Sequence, residues 1–171
     1  MLFRSLRDVE ELLNWYGNSG RYGAAMRLLT EGRSAFGVYA HLARAFRAVG
    51  VFDASRSEAQ RREALFLHAA GIADVDAGML ADALRFDALR AGVLPGQLPP
   101  YLIRAADAQE NEADDALLRR MCPQRSERRA FAIARFEFDV VCLLERGEIA
   151  RAECRLRINL RSGGYERIQT P

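Results

Sequence analysis

The sequence predicts an all-α fold, a right-handed α-solenoid of about five helical hairpins, and three observations carry that expectation. Three stretches share one grammar: Gly20-Arg21-Tyr22-x-x-Ala25, Gly50-Val51-Phe52-x-x-Ser55 and Gly78-Met79-Leu80-x-x-Ala83. In each, a glycine frees the backbone to turn, and a bulky residue plugs the gap between two helices. A small residue one turn later then lets those helices approach closely. The turn residues Gly20, Gly50, Gly78, Asn111 and Gly147 recur at intervals of 30, 28, 33 and 36 residues, as stacked hairpins do in a degenerate repeat. No segment reads as strict apolar–polar alternation for more than a few residues. A compact helical bundle uses the same stripes and is the alternative architecture.

The elements follow in order. Ser5-Leu-Arg-Asp8 reads as a helix start, after which Val9, Leu12, Leu13 and Tyr16 make one apolar stripe ending at Gly17. A second helix carries Tyr22, Ala25, Met26 and Leu29. Tyr39, Leu42, Ala43 and Phe46 form the next stripe, Gly50 and Asp53 the turn, and a charged helix follows from about Ala54, with its end left open between Glu63 and Ala70. Residues 73–78 read as the third turn, and Met79 to Gly92 as a helix. Pro95-Gly96-Gln-Leu-Pro99-Pro100 is the strongest break. Two modest helices, 102–108 and 113–121, flank Glu110-Asn111. The last hairpin pairs a helix over 129–145 with a closing one carrying Ile149, Ala152, Leu156 and Leu160, and residues 165–171 read as a mobile tail.

The chain of 171 residues reads as one domain, 1–171; half its residues are apolar and 28% charged, the mix of a folded protein rather than a disordered one. No apolar run approaches the ~20 residues that span a bilayer, and the first residues lack a secretory apolar region. The expected compartment is therefore the cytoplasm, with export by a signal-less route left open. Cys122, Cys142 and Cys154 lack disulfide-framework or metal-site spacing and read as incidental thiols. All 25 basic residues are arginine. That matches the codon bias of a G+C-rich bacterial genome, and the alternative is selection against lysine modification. Charge is polarised: +4 over 1–62, −7 over 63–115 and +5 over 116–171.

Residues 9–59, and more weakly the chain to 160, resemble tetratricopeptide repeats. Leu12, Tyr16, Gly20, Tyr22, Ala25 and Leu29 match the first hairpin; Tyr39, Leu42, Ala43, Phe46, Gly50, Phe52 and Ser55 match the second. Phe66, Gly78, Leu80 and Ala83, and then Leu143, Gly147, Ile149 and Ala152, keep less of the pattern. The family's closing proline is missing and most intervals fall below its ~34 residues. The resemblance implies a concave groove lined by the first helix of each hairpin, which puts Arg7, Asn14, Arg44, Arg47 and His68 at partner-facing positions. Such a surface suits an acidic or C-terminal carboxylate peptide.

Catalytic constellations are missing from the sequence. His41 and His68 have no ligand or relay partner at helical spacing, and Asp74-Val-Asp76-Ala-Gly78 lacks the later ligands of a calcium loop. The acid pairs Glu10/Glu11, Asp114/Asp115 and Glu137/Asp139 read as solvated helix faces, and no phosphate-binding glycine loop or nucleophile elbow is present. Neither cofactor nor metal is expected. Arg119, Arg120, Arg128, Arg129, Arg151 and Arg155 form a candidate anion-reading face, whose bland reading is intramolecular pairing. The expected function is a non-catalytic protein–protein interaction module, an adaptor or chaperone-like protein of the kind found in bacterial specialised secretion. The alternatives are an enzyme assembled from dispersed acids and arginines, or an arginine-driven nucleic-acid binder, disfavoured because no aromatic residues interleave the arginines.

Overall fold

The computed structural model describes residues 2–69, 71–72, 74–104 and 107–168. The chain runs α1 (Leu2–Leu12), a π-helical turn (Leu13–Gly17), α2 (Gly23–Thr30), α3 (Ala35–Ala48), α4 (Glu58–Ala69) and α5 (Ala77–Arg90). Two 3-10 turns, Pro95–Gln97 and Pro100–Leu102, lead to α6 (Asp107–Met121) and α7 (Arg125–Arg128). Then come β1 (Phe131–Phe136), α8 (Val140–Arg146), β2 (Cys154–Asn159) and β3 (Tyr165–Arg167).

The first half obeys its stripes except at Leu13, which is exposed where α1 passes into the π-helical turn. Leu12 and Tyr16 of the first segment, Ala25 and Leu29 of α2, and Leu42 and Phe46 of α3 are buried in one core. Tyr16 meets Tyr22 edge-on at 4.8 Å and Phe46 at 6.2 Å, which closes the first hairpin onto the second. Gly50 takes φ +71° at its turn, a conformation that branched residues resist. Helix α4 begins at Glu58 and runs unbroken past Glu63, so the open boundary closes at Ala69.

Helix α5 departs from a repeat. A second-layer helix would bury one stripe, yet Met79, Leu80 and every residue from Asp82 to Leu89 are buried. The helix lies at the centre, packed on α2, α4, α8, β2 and the Pro100–Leu102 turn. Asp76 caps it by accepting from the Gly78 and Met79 amides. Gly78 is therefore helical, and the third turn ends at Asp76; Ala73 of that turn lies outside the described residues.

The all-α solenoid is overturned by a three-stranded antiparallel sheet of order β1-β2-β3, which equally excludes the compact all-helical bundle. Cys154, Leu156 and Ile158 are buried while Arg155, Arg157 and Asn159 between them are half-buried, a period of two over six residues. The closing helix expected over 149–160 is thus a strand. The helix expected over 129–145 is β1 and α8, separated by a bend in which the Asp82 carboxylate accepts the Glu137 amide at 2.6 Å. Gly147, at φ +75°, ends α8. The expected mobile tail contributes β3, with Ile158 opposite Tyr165; residues 169–171 lie outside the described residues. The break expected at 110–111 is absent, since the α6 backbone is continuous across it.

The Phe86 ring joins the two halves, edge-on to Phe136 at 5.8 Å and to Tyr165 at 5.2 Å. Phe86→Ala should cost about 3–5 kcal/mol of unfolding free energy in urea. A loss below about 1 kcal/mol would mean that α5 does not hold the sheet to the helices.

Candidate functional site

Three places bring chemistry-bearing side chains together. The first is a groove of about 460 Å³ between α1 and α3, lined by Leu6 and Val9 from α1 and by Phe36, Ala40, Ala43 and Arg44 from α3. The stripe Val38, Tyr39, Leu42 and Phe46 faces the core, which leaves Phe36, Ala40 and Arg44 as a second stripe at helical spacing. Leu6 and Phe36 are 54% and 63% exposed, although both are large apolar residues on neighbouring helices. Arg47 closes one end. Its guanidinium forks onto the buried Asp8, with Nε 3.0 Å from Oδ2 and Nη2 on Oδ1, and lies 5.0 Å over the Phe52 ring. Asp53 stands 3.8 Å away. Arg44 is exposed and makes no ion pair among the described residues.

Of the partner-facing residues expected from the repeat resemblance, Arg7, Arg44 and Arg47 fall at this groove and the adjoining hollow. Asn14 instead accepts a hydrogen bond from Asn18 at 3.0 Å. His68 packs edge-on to Phe46 at 5.4 Å. The groove's apolar floor was missed; its sequence signal is the second stripe running from Phe36.

The second place is a shallow concavity of about 370 Å³ formed by the end of α6, by α7 and by the start of β1. Arg119, Arg125, Arg128 and Arg129 surround it with Phe131, Leu118 and Asp115. The candidate anion face is therefore divided. Arg119, Arg128 and Arg129 converge here, and Arg120 is exposed beside them but outside the lining. Arg151 pairs with Asp76 at 3.2 Å, and Arg155 is bound to the buried Asp114.

The third place is the buried charge around α5. Asp87 accepts from the Ala24 and Ala25 amides at 3.1 and 2.9 Å. These are first-turn amides of α2, whose own N-cap, Tyr22, makes no side-chain cap. Asp82 lies 4.0 Å from Arg85, whose guanidinium stacks over Phe136 at 4.9 Å. Arg135 and Arg155 both bind Asp114, beside a cleft of about 410 Å³ bounded by α5, the proline turn, α6 and β1. Among the sequence's acid pairs, Glu137 pairs with Arg104 at 3.7 Å and Asp139 caps α8 while binding Arg167 at 2.7 Å. Among the described residues no cluster of three or more His, Cys, Asp or Glu could hold a metal ion, and all three cysteines are free thiols.

The unit built in this way belongs to the family described as "Protein of unknown function (DUF4080)", whose family model matches residues 3–154, from the first helix into β2. No curated protein and no solved structure matches the chain.

Burial pushes the Asp87 carboxyl up to about 7, against the pull of the Ala25 and Ala24 amides, Arg90 and Arg62. It pushes Asp82 up to about 6, outweighing Arg85, the Glu137 amide and Arg104. Both folded values lie above the ordinary 3.8, so the native state holds more protons than the unfolded chain in between. That contribution to stability is complete below about pH 4 and lost as pH rises through about 7. Asp139, whose burial is outweighed by the Cys142 amide and Arg167, sits below the usual range and acts only at lower pH. Urea unfolding should therefore show stability falling from about pH 5 to about pH 8, by at most ~1.4 kcal/mol per pH unit for each carboxyl, with most of the slope gone in Asp87→Asn. Stability that rises over this range would contradict the assignment.

Proposed function

We propose that this chain is a non-catalytic interaction module that seats an amphipathic helix of a partner protein in the α1–α3 groove. The observation that carries the reading is the pairing of exposed Leu6 and Phe36 with a floor of Ala40 and Ala43 and an exposed, unpaired Arg44. Small residues on a helix surface allow the ~8–10 Å approach of a second helix, and large apolar side chains at the rim supply anchors for it. A carboxylate on the flank of the incoming helix meets Arg44, and a second meets Arg7. The Arg47 guanidinium is already committed to Asp8 and serves as a wall. The partner is thus an acidic, amphipathic helical segment, as an adaptor or chaperone-like protein would grip. On this reading the module works in the cytoplasm, to which three free thiols are suited. No helix among the described residues is long and apolar enough to cross a membrane.

The test uses a short labelled peptide with one apolar helical stripe flanked by Glu, and the same peptide with Lys in those places. The Glu peptide should bind and the Lys peptide should not. Arg44→Glu should weaken binding by more than about 1 kcal/mol with the unfolding midpoint unchanged, and Ala40→Arg should fill the floor and abolish binding. Arg47→Ala, in contrast, should lower the urea unfolding midpoint, because it strands the buried Asp8. Equal binding of both peptides, or full binding by Ala40→Arg, would sink the groove as the partner site.

A further inference from the structure

We infer that the arginine-lined concavity at the α6–α7–β1 junction is a binding site for single-stranded nucleic acid, with backbone phosphates on Arg119, Arg125 and Arg129 and a base against Phe131. This surface is made by elements other than those of the α1–α3 groove, so the inference stands or falls separately from that site.

Charge carries the first step. Four guanidiniums and one carboxylate, Asp115, line a single hollow. Arg119, Arg125 and Arg129 are exposed and make no ion pair among the described residues, although acids elsewhere in this chain pair readily with arginine. Like charges gathered without partners repel, and an incoming polyanion relieves that repulsion. Preorganisation is the second step. Arg128 donates to the Pro123 and Cys122 carbonyls at 2.6 and 3.2 Å, which ties α7, bearing Arg125 and followed by Arg129, to the turn before it. With the backbone that carries Arg125 and Arg129 fixed, less ordering is required when a phosphate arrives.

The third step separates nucleic acid from an acidic polypeptide. The aromatic ring of Phe131 is in the hollow, and the Arg157 guanidinium lies 4.8 Å over its face. Arg157 is steered there by Glu166, at 2.8 Å from its Nε. An aromatic ring set among arginines is the stacking-and-charge combination that binds single strands without regard to sequence, since every base has a π face. The remaining apolar lining is Leu118 alone, which leaves the aliphatic side chains of a peptide without a pocket. Helix α7 has four residues and cannot fill the major groove of a duplex as a recognition helix does.

The experiment measures fluorescence anisotropy of a labelled oligouridylate with the whole chain, titrated with salt from about 50 to about 200 mM. The oligonucleotide should bind. The triple variant R119Q/R125Q/R129Q, altered only at exposed positions, should keep its melting midpoint yet bind at least about ten-fold more weakly. Its log K against log salt slope should be shallower by about 2, three phosphate contacts at ~0.7 each. Phe131→Leu should weaken oligouridylate binding several-fold with the salt slope unchanged. Inorganic polyphosphate should compete equally against wild type and Phe131→Leu, which separates phosphate alone from phosphate plus base. The inference is overturned if the oligonucleotide fails to bind at the lowest salt or binds the triple variant as it does wild type. It is equally overturned if poly-glutamate competes as well as oligouridylate charge for charge, which would make the surface a site for acidic polypeptides.

Discussion

Everything in this fold depends on helix α5 being buried on all sides while carrying charge. Asp82, Arg85 and Asp87 sit among Leu80, Leu84, Phe86 and Leu89, and a buried carboxylate is tolerable only where donors meet it. Each of the two carboxylates finds its donors in a different neighbour. Asp87 takes the first-turn amides of α2, and Asp82 takes the amide that follows β1. The central helix is therefore tied on one side to the helical layer and on the other to the sheet, by bonds that hydrophobic packing alone would not orient. Their benefit is specificity of arrangement, because burial raises both carboxyl pKa values and offsets part of what the bonds contribute.

That central tie leaves the two proposed recognition surfaces to the outer elements. With α5 occupying the middle, α1 and α3 form an outer pair whose far sides need no further cover, and their surplus apolar residues, Leu6 and Phe36, stay in solvent. The sheet likewise uses Ala132, Phe136, Leu156 and Ile158 against the core. Its opposite edge, where β1 leaves α7, is left to arginine. Arg155 is drawn inward to Asp114, and Arg157 lies along Phe131. Some arginines are thus held by acids or backbone carbonyls, while Arg44, Arg119, Arg125 and Arg129 face outward and make no ion pair among the described residues. No stretch of the chain is reserved for either role.

The helical half was legible because its stripes largely hold: Leu12/Tyr16, Ala25/Leu29 and Tyr39/Leu42/Phe46 are buried as their spacing predicts, while Leu13, at the start of the π-helical turn, is exposed. Gly50 and Gly147 take positive φ where turns were expected. The sheet was hidden by arginine. In Cys154-Arg-Leu-Arg-Ile-Asn the alternation runs for six residues, against the expectation that no segment alternates for more than a few, and Ile149, Ala152, Leu156 and Leu160, which also fall at helical spacing, mask it. The long apolar stem of arginine lets it lie half-buried on a strand with its head in solvent, a role its charge disguises. The break between β1 and α8 has one local sign, the N-cap Asp139, but the bend before it is held by Asp82, 55 residues earlier. The same holds for α2, whose start is capped by Asp87 and not by a neighbour. Of the residues at the two proposed surfaces, Arg7, Arg44 and Arg47 were expected at partner-facing positions from the repeat resemblance, and they line the α1–α3 groove and the hollow beside it. Arg119, Arg128 and Arg129 were likewise grouped by the sequence, whereas Phe131 joins them through a strand where a helix was expected.

Native-state hydrogen exchange of the intact chain tests the central role of α5 most directly. If α5 organises both halves, the amides of residues 80–89 exchange only through global unfolding. The Ala24, Ala25 and Glu137 amides, which the two carboxylates accept, should then exchange with the same opening free energy. Exchange of α5 at the rate of the outer helices α1 or α4, or an opening of the sheet that leaves α5 protected and Glu137 free, would contradict the account.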